Sequence, residues 1–268
     1  MATEPVDTHI YAGKHHIVFN PNARGRAPRY KVNDVAYQGV TTILGNVLAK
    51  KGLMTWPMDV ALAHIRTRLP IVTEEDLVYA AYEHERLRDA GGSTGTEAHS
   101  MVEEFLYGGE PTMLHTQEAI NAYTAFVEWF TRTKPEIVGI ENVIFSEELE
   151  FAGTYDCMLK IDGKVTLCDL KTTNPSRDAP KGIYAENFFQ LGGYALAHEE
   201  QRLYEIKATG TSELQPIEEL MIISCKKNGV CDIVTASDLG LTVQDCMELF
   251  AKVVAINKAL NDLKKKLK

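Results

Sequence analysis

Asp156, Asp169 and Lys171 are the residues of this sequence whose types and spacing could do chemistry together. They lie in residues 153–173, GTYDCMLKIDGKVTLCDLKTT, where two runs of apolar and β-branched residues flank Asp162-Gly163, a pair that closes tight hairpins. A turn centred there sets Ile161 opposite Lys164, Cys157 opposite Cys168, and Asp156 opposite Asp169. Opposed side chains share one face at roughly 5 Å. Strand alternation brings Lys171 onto that face too. Two neighbouring carboxylates repel unless a cation separates them or one takes up a proton. A divalent metal with oxygen ligands is one solution; neutralisation of a solvated pair by Lys171 is the other.

Four further residues can join this group. His99 lies on a segment whose apolar positions Ala98, Met101, Val102 and Phe105 have helical spacing, and Glu103 falls one turn on, on the same side. Gln190 and Tyr194 stand one turn apart on a later helix, so they also share a side. Two carboxylates with a backbone carbonyl and water suit Mg²⁺ or Mn²⁺, and one imidazole tilts the balance towards Mn²⁺. Such an ion lowers the pKa of water and polarises a phosphoryl oxygen. Lys171 would position that water or stabilise charge developing on phosphorus. Gln190 and Tyr194 offer neutral donors. Glu103 could reach the ion or pair with an arginine, whereas Glu141, Glu147 and Glu148 are not expected beside it.

The elements that must position these residues follow from periodicity and punctuation. Residues 1–40 read as short strand-like pieces around the turn-rich PNARGRAPR, where Arg24, Arg26, Arg29 and Lys31 form a basic patch. A helix-like stretch runs from GVTTIL to Ala49. Helices are expected over 55–69 and 74–90, the second capped by Thr73 with Asp76 and ended by Gly91-Gly92. A separate helix should start near Thr94, with Glu97 completing its capping box, and another over 116–132 buries Tyr123, Phe126, Val127 and Phe130. EIVGIENVIF (136–145) and EELEFAG (147–153) read as strands before the 153–173 hairpin. A helix over 185–206, an Asn228-Gly229 hairpin over 219–235 and a helix over 242–263 complete the chain. The fold class is α/β: a mixed central sheet flanked by helices, with a helical N-terminal elaboration. Residues 1–90 would be that elaboration, covering the site, and 91–268 the core.

Composition bounds the rest. The 268 residues, 45% hydrophobic and 24% charged, suffice for one large domain or a core with an added segment. No run has the roughly 18 apolar residues of a membrane span, so no membrane partner is expected. The N-terminus lacks the basic and apolar regions of a targeting signal. The five cysteines contain no Cys-x-x-Cys. Cys157 and Cys168 should face away from the Asp pair, as reduced packing residues. A two-residue turn at Asn228-Gly229 sets Cys225 opposite Asp232 and Cys231 opposite Lys226, with the sulfurs on opposite faces. A zinc or iron–sulfur site is therefore rejected. The net charge of −9 argues against a broad basic surface for duplex DNA, though not against a local groove.

Gly-Thr-x-x-His (95–99), Gly-Thr-Tyr-Asp (153–156), Asp-x-Lys (169–171) and Gln-x-x-x-Tyr (190–194) together resemble the ordered motifs of RecB-like nucleases of the PD-(D/E)XK superfamily. The likeness covers about residues 90–235. GVTTIL with Trp56 after it also looks like the entry segment of phage and mitochondrial genome-maintenance exonucleases of that group. What the resemblance implies is a restriction-endonuclease-like core and metal-dependent hydrolysis of DNA. His99, Asp156, Asp169 and the Leu170 carbonyl would hold Mg²⁺ or Mn²⁺, with Asp156, Asp169 and Lys171 catalytic. Gln190, Tyr194 and Thr172 would contact the substrate. An exonuclease for single strands or DNA ends in replication, recombination or repair is the leading expectation, in the cytoplasm of a bacterial or phage-infected cell. An endonuclease of the same chemistry, or an inactive DNA- or partner-binding protein, is the alternative. The cysteine pattern of iron–sulfur relatives is missing. No GxxxxGK[ST] loop occurs, so any helicase or recombination partner would be a separate protein.

Overall fold

An antiparallel meander opens the chain: β1 (Val6–Ile10), β2 (His15–Phe19), β3 (Tyr30–Val32) and β4 (Val35–Gly39). The structure is a computed structural model that describes residues 5–23, 27–48, 51–112, 114–175 and 183–267, with the side chains of 51–54 excepted. Arg24 and Arg26 of the basic patch lie outside the described residues. The chain then turns helical through α1 (Val40–Val47), α2 (Lys51–Arg66) and α3 (Glu74–Leu106).

α3 corrects two expectations at once. It runs unbroken for 33 residues through Gly91-Gly92, where helices ending at 90 and starting near 94 were expected. Thr73 and Asp76 do form the expected capping box at its start. The three interior glycines, Gly91, Gly92 and Gly95, cost about 1 kcal/mol each relative to alanine, too little to break a helix that packs at its far end. Thr94 and Thr96 donate back to the carbonyls of Ala90 and Gly92 (3.1 and 3.0 Å), which satisfies their hydroxyls within the helix. Glu97 therefore caps nothing on α3. Its carboxylate accepts from the Thr116 N–H and hydroxyl, both at 2.9 Å, at the start of α4 (Gln117–Thr133).

The next strands are a long hairpin bent across two sheets. β5 (Glu136–Ile140) pairs antiparallel with β8 (Cys157–Ile161), and β6 (Val143–Ser146) pairs with β7 (Phe151–Thr154). Residues 136–145, expected as one strand, thus split at Glu141-Asn142, where Glu141 takes a left-handed φ of 48°. The matching kink falls at Tyr155-Asp156, and the two kinks are tied together: Glu141 N–H donates to the Asp156 carbonyl at 2.9 Å, and Tyr155 N–H to that of Asn142 at 3.3 Å. β9 (Lys164–Thr173) follows the Asp162-Gly163 turn, both of whose residues have positive φ. Its register with β8 is the expected one, Cys157 opposite Cys168 and Ile161 opposite Lys164. The expected hairpin is nevertheless shorter than 153–173. Its first residues belong to the other sheet, and the ladder ends at Cys157, one residue short of Asp156.

After α5 (Ala185–Thr209), β10 (Glu219–Lys226) lies parallel beside β9, and β11 (Cys231–Thr235) returns beside it. Here the expected register is off by one: Cys225 faces Cys231, and Asp232 faces Ser224. The loop is a three-residue one in which Gly229 takes a φ of +86° and Lys226 N–H bonds the Val230 carbonyl. An Asn-Gly pair alone cannot distinguish that loop from a two-residue turn. A short 3₁₀ turn and α6 (Val243–Lys266), capped by Thr242 and Asp245, end the chain.

The result is a mixed α/β fold of two sheets flanked by helices, ordered β1-β2-β3-β4-β7-β6 and β11-β10-β9-β8-β5. Alternation along β9 divides the core. Val165 and Leu167 point to α1, α5 and α6, among Leu191, Phe188, Phe250 and Ile43. Cys168 and Leu170 point to α3 and α4, among Met101, Phe126 and Trp129. Each such large side chain contributes about 1.5–3 kcal/mol by leaving water. Among the described residues no helix is long and apolar enough to cross a membrane.

Candidate active site

The site sits where β9 outruns β8. Past Cys168 the β9 edge has lost its ladder partner, so the Leu170 N–H needs another acceptor. Asp156, in the kink between β7 and β8, supplies it: Oδ2 accepts that N–H at 2.7 Å. The bend therefore joins Asp156 to the Asp169–Lys171 segment by a charge-assisted hydrogen bond, in place of the direct strand pairing the sequence suggested.

Asp169 is 1% exposed and faces α5. Its Oδ2 lies 2.6 Å from the Lys171 ammonium, an ion pair that leaves this oxygen without an aligned hydrogen bond. Its Oδ1 accepts from the Gln190 amide at 3.0 Å. The same nitrogen donates to the Tyr194 hydroxyl at 3.0 Å. Burial pushes the Asp169 carboxyl up to about 6 against the pull of Lys171, with Asp156 adding to the rise. Burial works against the Lys171 ammonium, but Asp169 and then Asp156 outweigh it and hold its pKa above the ordinary lysine value. Lys171 is thus a cation at neutral pH. Burial, followed by Asp169 and Asp156, keeps Tyr194 a neutral hydroxyl.

Gly153 explains how Tyr194 fits. A Cβ there would stand 2.7 Å from the ring's Cε1 and 3.1 Å from Ile144, so β7 can lie against the tyrosine only without a side chain. The glycine of Gly-Thr-Tyr-Asp is a packing requirement of the Gln-x-x-x-Tyr helix.

α3 brings His99 to the other side of Asp156, with Nδ1 3.9 Å from Oδ2, in reach of its charge but not hydrogen-bonded. Glu103 lies one turn further on, half-buried. Burial raises its carboxyl and Asp156 adds to the rise, while His99 opposes it. Glu141, which the sequence reading left out, belongs to this group. Burial, with Asp156 and Glu103, drives its carboxyl up to about 8. The signal that could have found it is the break in 136–145. A strand that switches sheets beside an Asp-bearing kink places its own kink residue next to that Asp. Thr172 stands on the opposite face of β9 from Asp169 and Lys171, as alternation requires. Its hydroxyl is buried without a hydrogen-bond partner.

Among the described residues no three His, Cys, Asp or Glu side chains converge into a finished metal cage. Asp156 is turned to Leu170, and Asp169 to Lys171 and Gln190. The donor types still fit a hard divalent ion: two carboxylates, an imidazole, and one buried carboxylate oxygen with no hydrogen bond along its lone pairs. The arrangement pairs concentrated negative charge, which an ion would neutralise, with a fixed ammonium that can face a substrate anion.

A model of the PD-(D/E)XK nuclease superfamily matches residues 74–241. None of the curated proteins matches the chain. Among solved structures, the chain is similar to a candidate exonuclease from Eubacterium rectale at 15% identity, over 62% of this chain and 68% of that one, with a TM-score of 0.38. It is also similar to an alkaline exonuclease from Laribacter hongkongensis at 11% identity, over 87% of this chain and 95% of that one, with a TM-score of 0.32.

Proposed function

The chain belongs to the PD-(D/E)XK nuclease superfamily, and on that premise we propose that it is a Mg²⁺- or Mn²⁺-dependent deoxyribonuclease acting on single strands or DNA ends. The observation that carries this reading is the convergence on one end of β9: Asp156 on the Leu170 N–H, and Asp169 held between Lys171 and Gln190. Asp156, Asp169, His99 and the Leu170 carbonyl would hold the ion. Bound there, it supplies Lewis-acid polarisation of a phosphoryl oxygen.

The chain's own groups do the rest. Lys171, charged and fixed by Asp169, stabilises the negative charge that builds on phosphorus during attack. Gln190 clamps the Asp169 carboxylate and offers its amide edge to the strand, while buried Tyr194 fixes the Gln190 rotamer. The Thr172 hydroxyl, buried on the opposite face of β9, has no contact with the substrate strand in this reading.

End-labelled linear and closed circular single-stranded DNA, incubated with Mg²⁺ or Mn²⁺ and with wild type or Lys171→Ala, test this reading. Metal-dependent loss of the linear substrate alone, absent in the variant, is the expected result. Cutting of the circle would replace the exonuclease with an endonuclease of the same chemistry. No cleavage of either substrate with either metal would remove the assignment as an active enzyme.

A further inference from the structure

Two pairs of cysteines face each other across strands of the five-stranded sheet, and they differ in one respect. Cys157 and Cys168 are 2% and 0% exposed beneath α3 and α4. Cys225 and Cys231, at the turn end of the β10–β11 hairpin, have their sulfurs 3.7 Å apart, and Cys231 reaches the surface while Cys225 is 1% exposed. We propose that Cys225 and Cys231 form a thiol pair that hydroperoxides convert to a reversible disulfide, Cys231 being the attacking sulfur and Cys225 the resolving one.

The geometry is already close. Direct partners in an antiparallel ladder have Cα atoms about 4.5–5.5 Å apart, inside the roughly 4.4–6.8 Å range that a disulfide spans. The sulfurs need to close from 3.7 Å to about 2.05 Å. The loop they flank, turning at Gly229 and held by the Lys226–Val230 hydrogen bond, is the part of the hairpin best able to absorb that shift. The chemistry is divided between the two thiols. The Cys225 S–H donates to the Cys231 sulfur and lowers its pKa, against burial and Asp232 and with help from Arg132. Cys225, as the donor and by burial, is held protonated. A thiolate with access to solvent beside a protonated partner is the arrangement that reacts. By contrast, the hydrogen bond with Cys168 and burial raise the Cys157 thiol well above its ordinary value.

The steps balance. The Cys231 thiolate attacks one peroxide oxygen and breaks the O–O bond. A hydroxide leaves, takes a proton and becomes water, and Cys231 is left as a sulfenic acid. The Cys225 sulfur then attacks the Cys231 sulfur. The S–S bond forms as the S–O bond breaks, and the hydroxyl leaves with the Cys225 proton as a second water. Two thiols lose two electrons and one peroxide gains them. The ring closed is short, so the stabilisation from loop closure is small and a dithiol reductant should reopen it. Cys225 neighbours Thr172 in the ladder, so the link forms one strand away from Lys171.

The experiment treats the purified full chain with hydrogen peroxide, blocks remaining thiols under denaturing conditions, and digests it with trypsin, which cuts between the two cysteines after Lys226 and Lys227. Expected is a crosslink joining the Cys225 and Cys231 peptides, loss of two hydrogen atoms from the intact mass, and three of the five cysteines still alkylated. Dithiothreitol should restore all five, and Cys231→Ser or Cys225→Ser should abolish the link. Blocking of all five after peroxide, oxidation of Cys231 to sulfinic acid with no crosslink, or a Cys157–Cys168 link in the wild type would each overturn the proposal. The wild-type digest decides it even where a variant folds poorly.

Discussion

The Asp156 carboxylate lies one residue outside the β8–β9 ladder, yet its Oδ2 holds the Leu170 N–H at 2.7 Å. Asp156 thus does structural and chemical work at one atom, and two substitutions separate them. Asp156→Asn keeps an acceptor oxygen for Leu170 and removes the charge. It should melt within about 1 kcal/mol of wild type while losing metal-dependent cleavage. Asp156→Ala leaves a buried N–H unpaired and should cost about 1–3 kcal/mol as well as activity. Urea melts beside a cleavage assay give both numbers. Equal stability of the two variants would show that Leu170 finds another acceptor and that the hydrogen bond is not what fixes the kink.

Gly153 offers a test of the link between two motifs. Adding a methyl at this position drives it into the Tyr194 ring and Ile144, an overpacking worth about 1–3 kcal/mol. Because Tyr194 fixes Gln190 and Gln190 holds Asp169, Gly153→Ala should weaken cleavage beyond its loss of stability. Gly153→Ala combined with Tyr194→Leu, which frees space, should regain stability but not activity. Recovery of both would mean that Tyr194 has no part in holding the site.

Glycine substitutions of opposite sign should separate the long helix from the α5–α6 crossing. Gly91 meets nothing within 4 Å inside α3, so Gly91→Ala should stabilise by about 0.5–1 kcal/mol, the helix gaining what glycine withholds. At Gly192 the added carbon would overlap the backbone carbonyl of Cys246 in α6. Backbone cannot swing aside as a side chain does, so Gly192→Ala should destabilise by several kcal/mol, above the usual overpacking cost of about 1–3 kcal/mol. Chemical denaturation of the two variants gives the signs. A destabilising Gly91→Ala would mean that α3 does not run straight through its glycines.

The site was legible in sequence where it rests on local rules. Alternation along β9 put Asp169 and Lys171 on one face and the Cys157–Cys168 pair on the other, and helical spacing put Gln190 with Tyr194. What stayed hidden depends on distant parts of the chain. Glu97 reads as a cap for its own helix because the pattern Thr-x-x-Glu is local, but the N–H that it satisfies is that of Thr116, a packing partner. The continuity of α3 through Gly91-Gly92 is a case of tertiary contacts overriding propensity. Glu141 was left out because 136–145 reads as one strand, and only its division between two sheets sets Glu141 beside Asp156. The cysteines of β10 and β11 were set on opposite faces because a one-residue change of loop length reverses every facing relation beyond it.

His198 gives the fold a pH limit independent of the site. It is buried on α5, with Nε2 donating to the Gln215 carbonyl at 2.8 Å. Burial holds its pKa below the ordinary 6.5, only partly opposed by that hydrogen bond. The sign follows from proton uptake. As pH falls through about 6.5, the unfolded chain binds a proton at this histidine before the folded chain does. Stability from the neutral ring is therefore complete above that pH and is lost below it, by up to about 1.4 kcal/mol per pH unit until the folded value is reached. His198→Gln retains an N–H donor for Gln215 and cannot titrate. The stability difference between wild type and this variant should be flat from pH 8 to 7 and shift against the wild type between pH 6.5 and 5. Measuring both proteins by urea denaturation in the same buffers cancels the groups they share. A difference that stays constant to pH 5 would show that the histidine is protonated in the fold as readily as in the unfolded chain, and that its burial does not exclude the charge.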